Sequence, residues 1–492
     1  MDSRPNRRDL LLASLSAGLP ATASAMVGNE NRKRGASWQL TNVRTDKGKG
    51  FRTGLIEGYC SRQSVAAGQT LTVHVSTNPA RRFTLDVFRM GYYGGAGGRL
   101  MTTLGPVAGK PQPDPETRER RLRECRWTAS IELKIPSDWL SGVYLGRLST
   151  VAESRSEHAW QSYVVFIVRD HRKADVLFQV SDNTWAAYNR WPDDYSLYTD
   201  PRHSCAPGVA VSFDRPYGKY AQIFDHPLST GSGEFLLWEF PLAYWLERHG
   251  YDVTYTSNSD MLAESEFTRA RVFLSVGHDE YWDTRQYDAA LASVRRGVTH
   301  LYLCGNAVFG VTPFQPSSEG RPNRILSREG VYGGVYGTFG SFFKEPFPME
   351  GPKANRLIGA HSVYPFNGGG DWICTQPKHW MFEGTDIKAG DRIPGLVGWE
   401  FHGDPADIPG LEIVAEGDAL SGGIRPSHWT ATIYPGGRNN FVFNAATIWW
   451  TQGLASPPGH MLPWSHWVRP HGPDARVEAI TRNLLRRALR SV

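Results

Sequence analysis

Between Arg271 and Asn306 the chain reads strand, helix, strand within about 35 residues, and this unit constrains the fold more than any other feature. RVFLSVG (271–277) is an apolar run of strand length. Asp283 can cap a helix whose apolar face is Tyr287, Leu291 and Val294, and Gly297 can end it. HLYLCGN (300–306) is the next strand. Strands joined by a crossover helix run parallel, so the expected class is α/β with a doubly wound parallel sheet. DVLFQVS (175–181) and YDVTYTS (251–257) supply further strands. Between them, LLWEFPLAYWLERHG (236–250) places Trp238, Leu242, Trp245 and Leu246 on one helical face, with Gly250 set to close it. TIYPGGRNNFVFN (432–444) suggests a hairpin, and Val477, Ile480 and Leu484 mark a closing amphipathic helix.

Upstream the period is two. Leu71, Val73 and Val75 alternate with polar residues, as do Leu85 with Val87, Ile131 with Leu133 and Ile135, and Val164 with Phe166 and Val168. Glycine- and proline-rich turns separate these runs, which reads as an antiparallel β-sandwich. The pattern changes after the charged stretch Asp170-His171-Arg172-Lys173. At the start, Arg7-Arg8 precedes an apolar run (10–19) and Ala23-Ser24-Ala25, the pattern of a cleavable export signal of twin-arginine type. The expected organisation is an export segment over 1–25, a sandwich over 36–170 and an α/β domain over 171–492. The mature protein is expected to be periplasmic or secreted.

No other segment approaches the roughly 20 apolar residues of a membrane span. A net charge of +5, with the basic residues dispersed, argues against a nucleic-acid partner. Self-association into a homo-oligomer stays open. Cys60, Cys125, Cys205, Cys304 and Cys374 lie far apart without C-x-x-C spacing, which disfavours a cysteine zinc site. Cys60 and Cys125 could pair after export, or all five could be buried thiols.

SVGHDEYWD (275–283) ends the first strand of the central unit. Open α/β sheets bind ligands outside the carboxyl ends of their strands, so His278, Asp279, Glu280, Tyr281 and Trp282 stand where chemistry is usually done. A nucleophile elbow needs Ser or Cys between glycines, and neither follows Gly277. Asp279 and Glu280 are adjacent and seldom could flank one glycosidic bond. Metal chemistry fits better, because phenolate and carboxylate are hard oxygen ligands. The packing alternative is Tyr281 and Trp282 beneath a loop, with His278 and Asp279 bonded to backbone.

YCSRQSVAAGQTLTVHVST, FRMGYYGGAGGRLM, SDNTWAAYNRW, SVGHDEYWD, CGNAVFG and ITRNLLRRAL together resemble the N,N-dimethylformamidase large (beta) subunit-like family. The resemblance implies a β-domain followed by a class I glutamine-amidotransferase-like domain without the nucleophilic cysteine. It also implies an amidohydrolase with mononuclear, ferric iron held by two tyrosines and a glutamate, acting on a small amide. Carried over by motif, Tyr281 is the first tyrosine. Tyr255 is the choice for the second, with Tyr188 in TWAAYNRW as its rival. Glu400 in GLVGWEFHG is the choice for the carboxylate. His278 or Glu280 would move a proton to the leaving amine, or His278 would make an orienting hydrogen bond. The shorter chain and the export signal leave the substrate open.

The competing class is a secreted carbohydrate- or cell-wall-binding protein without catalysis. Trp185, Trp191, Trp372, Trp380, Trp449 and Trp450 are its candidate stacking platforms, although such residues more often pack.

Overall fold

In the computed structural model the described residues are 24–45, 52–154, 156–218, 229–335, 339, 342–422, 424–460, 462 and 472–490. The strand Ala270–Gly277 leads into the helix Thr284–Arg296 and then the strand Thr299–Cys304. The helix limits follow from local chemistry. The Asp283 side chain accepts from the Arg285 N–H, satisfying an orphan donor of the first turn. Gly297 adopts φ 105°, a left-handed turn that an L side chain resists. Tyr287, Ala290 and Val294 are buried against the sheet, while Leu291 is only partly covered. The two strands pair in parallel, Ser275 opposite Tyr302 and Gly277 opposite Cys304.

The parallel expectation describes only half of the sheet. Nine strands lie in the order Val253–Thr256, Ala174–Gln179, Ala270–Gly277, Thr299–Cys304, Phe441–Asn444, Arg425–Pro435, Glu412–Ser421, Gly368–Ile373, Arg392–Trp399. The first five are parallel. The remaining pairings are antiparallel. The reversal comes at the hairpin read from residues 432–444, where Pro435 faces Phe441. A tight turn brings the chain back beside itself, so the strand Arg425–Pro435 enters antiparallel, and the pairings beyond it keep that alternation. The fold is therefore mixed α/β with several sheets, a coarser class than a glutamine-amidotransferase-like parallel sheet.

The period-two runs form two facing sheets, one of three strands and one of five. Leu71, Val73, Val75 and Ile131 meet Leu85, Tyr144, Val164 and Phe166 in a common core. One pairing departs from the antiparallel expectation, since Ser64–Ala66 runs parallel to Gln161–Arg169. That last strand is buried on both faces. Val164, Phe166 and Val168 point into the sandwich, whereas Tyr163, Val165 and Ile167 share a core with Val176, Phe178 and Trp245 of the α/β part.

A buried ion pair crosses the same junction. Arg89 donates to both oxygens of Glu247, at 2.8 and 2.9 Å, with both side chains inaccessible. The linking residues are held as well: Arg172 pairs with Asp170 and Asp252, and the Thr254 hydroxyl donates to Asp170.

The expected export segment lies outside the described residues except for its last two, which open the helix Ser24–Asn31. Val27, Glu30 and Asn31 are buried, and Asn31 donates to Glu247 at 2.8 Å. Cleavage after Ala25 would leave these contacts in place. All five cysteines are free and buried. Burial pushes the Cys60 thiol up to about 12, the behaviour of a packing residue. No helix among the described residues is long and apolar enough to cross a membrane.

Candidate functional site

Gly277 decides how the central strand ends. Its φ is 67°, and a Cβ there would stand 2.5 Å from Trp238 Cβ, so only glycine fits this exit. The chain turns immediately, and His278, Asp279 and Glu280 are all buried. The CGNAVFG segment is pinned beneath them. Val308 N–H donates to the Asp279 carbonyl, and the Phe309 and Gly310 N–H groups donate to that of Glu280. Val308 sits at φ 53°, a conformation that a β-branched residue adopts only when its surroundings enforce it.

Asp279 is a structural residue. Its carboxyl accepts from Gln179, Asn258 and Ser275 at 2.6, 3.0 and 2.8 Å, and burial pushes its pKa up to about 6. His278 and Glu280 join Glu400, which follows the strand Arg392–Trp399. His278 Nε2 lies 2.9 Å from Glu400 Oε2 and 3.2 Å from Glu280 Oε2. Burial opposes the imidazolium, but Glu400 and Glu280 outweigh it and hold the His278 pKa at about 10. Asn306 donates to Glu400 at 2.9 Å and accepts from the Ser362 hydroxyl, which fixes the carboxylate.

Three phenols meet on the other side of Glu280. Tyr198 donates to Glu280 Oε1 and accepts from Tyr188 at 3.0 Å and from Tyr281. Arg328 donates to the Tyr281 oxygen at 2.8 Å. Burial and the nearby Glu280 carboxylate hold all three phenols protonated, well above the usual tyrosine range. Tyr188 ends the helix Asp182–Tyr188, whose start is tied down by Glu239 accepting from the Ser181 N–H and the Trp185 indole.

Burial raises the Glu239 pKa to about 8. A raised carboxyl adds stability that is complete below its unfolded value and is lost as pH climbs through the folded one. The melting temperature is therefore expected to fall between about pH 4.5 and 8 by several degrees more in the native chain than in Glu239→Gln. Parallel pH profiles for the two proteins would refute that role for Glu239.

The structure brings together His278, Glu280, Glu400, Tyr281 and Tyr188. It does not bring Tyr255. That residue lies on the sheet's edge strand, sits tilted against the Phe178 ring with centroids 5.2 Å apart, and donates to Glu247 at 3.0 Å in the core shared with the sandwich. The expectation that neighbouring strand ends converge fails because alternation along Val253–Thr256 turns this side chain toward Glu247. Tyr198, Asn306 and Arg328 are not among the sequence candidates: all three stand in irregular segments without a period, although Asn306 lies in the CGNAVFG motif, which is the one signal pointing to it. The tryptophans proposed for sugar stacking are packed. Trp185, Trp191, Trp372, Trp449 and Trp450 are at most 2% exposed, and Trp380 is partly buried.

His278, Glu280 and Glu400 could hold a metal ion, their ligand atoms lying within 4.8 Å of one another. Its two carboxylates suit a hard cation, and Glu280 Oε2 is buried with only the 3.2 Å approach of His278 beside it. The group opens onto a cavity of about 400 Å³, lined by Tyr188, Tyr198, Glu280, Asn306 and Glu400 at the polar end.

Known proteins bear on this arrangement. Residues 84–463 match the family described as N,N-dimethylformamidase beta subunit-like, C-terminal. No curated protein matches. Among solved structures, one likeness is to a family 123 glycoside hydrolase from Clostridium perfringens, studied for glycolipid glycan hydrolysis. It has 13% identity and a TM-score of 0.12, covering 26% of this chain and 28% of that one. The chain thus spans under a third of that relative, and so weak a likeness carries no argument about fold or activity. The family match is of another order, running from the sandwich strand Arg82–Met90 through every residue of the buried cluster. The chain belongs to the N,N-dimethylformamidase beta subunit-like family.

Proposed function

We propose that the protein hydrolyses the C–N bond of an amide with the help of one metal ion, iron on the family resemblance. Of the His278, Glu280 and Glu400 group only Glu280 would then hold it, joined by Tyr188 and Tyr198, because the His278 imidazolium is engaged with Glu400. The observation that carries this reading is the meeting of phenol and carboxylate oxygens at Tyr198, beside the buried His278–Glu400 pair. Tyr281 is the weaker ligand because a guanidinium already stands against its oxygen. When bound, the cation polarises an amide carbonyl and makes a nearby water more acidic.

The protein's own groups supply the rest. Asn306 orients Glu400, and Glu400 keeps His278 protonated. His278 can therefore deliver a proton to the amine nitrogen as the C–N bond breaks, while water oxygen joins the acyl carbon. Glu280 orders the Tyr198 hydroxyl. The parallel half of the sheet supports the finer glutamine-amidotransferase-like reading. Arg7-Arg8 and the apolar run after it support action outside the cytoplasm.

Metal analysis and a visible spectrum test the ligand set. A phenolate bound to ferric iron gives a charge-transfer band, so the purified protein should be coloured. Tyr198→Phe and Tyr188→Phe should each lower metal content by about tenfold or more and remove or shift the band. Tyr255→Phe should keep both. Full metal occupancy and an unchanged band in Tyr198→Phe would defeat the reading.

A further inference from the structure

The site opens into a cavity of about 400 Å³, which at roughly 30 Å³ per water is room for about a dozen waters, far more than a formamide-sized amide displaces. Beside its charged residues, Arg190, Arg328, Glu280 and Glu400, the lining includes a group of uncharged rings. Phe309, Phe339, Phe342, Phe343, Phe347 and Phe366 form this wall together. They interlock edge to face, with centroids 5.1 Å apart for Phe309 and Phe339, 5.1 Å for Phe343 and Phe347, and 5.3 Å for Phe342 and Phe366. Phe309, Phe342, Phe343 and Phe366 remain only partly buried, so ring surface is left facing the cavity. The wall is tied to the chemistry, since the Phe309 N–H donates to the Glu280 carbonyl at 2.9 Å.

Apolar surface left uncovered in a cavity is a binding surface, and phenyl edges and faces favour an aromatic guest. We infer that the substrate is an amide carrying one neutral aromatic ring, the ring seated against the phenylalanine wall while the amide meets Glu280 and Tyr198. This specificity rests on the proposed amide hydrolysis, and the six phenylalanines are its determinants.

Two measurements separate the ideas. The first compares kcat/KM for formanilide and benzamide with that for formamide and acetamide. At least one aromatic amide should be preferred by roughly tenfold or more, the order expected for burying a ring. Phe343→Ala should cut that preference by about tenfold, and Phe343→Leu, which keeps an apolar side chain, by less. The second follows fluorobenzene binding by fluorine NMR, with circular dichroism confirming that each variant is folded. Binding that Phe343→Ala or Phe343→Leu weakens supports the aromatic pocket even if no amide is hydrolysed, in which case the hydrolase reading alone fails. Hydrolysis of formamide without aromatic preference, together with no fluorobenzene binding, would overturn the inference and leave the hydrolase reading standing.

Discussion

Glu280→Gln is expected to reduce amide hydrolysis by at least about a thousandfold and to strip the bound metal, while moving the melting temperature by only a few degrees. The substitution keeps the side chain's shape. It removes one charge, places a donor where Glu280 Oε1 accepts from Tyr198 or where Oε2 faces His278, and leaves the backbone contacts of Phe309 and Gly310 intact. Metal content by mass spectrometry and turnover of formamide check it side by side. A variant with native metal content and native turnover would show Glu280 to be a packing residue, and the proposed reaction would lose its centre.

The second large effect is on folding. Glu247→Ala should cost about 3–5 kcal/mol, because Arg89 would remain charged and buried without its partner. Asn31 and Tyr255 would lose an acceptor as well. Replacing both members by apolar residues, Arg89→Met with Glu247→Leu, should recover much of the loss, since a buried pair repays little more than its own desolvation. Chemical denaturation of the three proteins measures this directly. A single-variant cost near that of an exposed pair, about 0–1 kcal/mol, would contradict it.

The same junction bears on how an isolated C-terminal fragment would behave. A chain beginning at Arg172 would expose Val176, Phe178 and Trp245 where Tyr163, Val165 and Ile167 now cover them. The charged stretch 170–173 reads as a junction in the sequence. In the structure it is clamped by Asp252 and Thr254.

Much of the fold was legible in the sequence because its signals act locally. A carboxylate at an N-cap or a glycine in the left-handed region works within one turn, so Asp283 and Gly297 mark the helix without reference to anything distant. Alternation of apolar residues likewise declares a half-buried strand, and it placed SVGHDEYWD at a strand end. Alternation does not say whether the other face is also covered, and here the sandwich strand Gln161–Arg169 is buried on both.

The site depended on what no local pattern records. Tyr198 reaches Glu280 across 82 residues, and Asn306 reaches Glu400 across 94. Tyr188 and Tyr255 looked alike as candidates, each an aromatic in a motif beside a strand or helix end. Packing separated them, sending one into the cavity and the other to Glu247. Residue types and short spacings thus determined which elements form and which strand end bears the cluster of acid, base and phenol. Which side chains converge there was decided only by tertiary structure, because convergence is set by the packing of segments far apart in the chain.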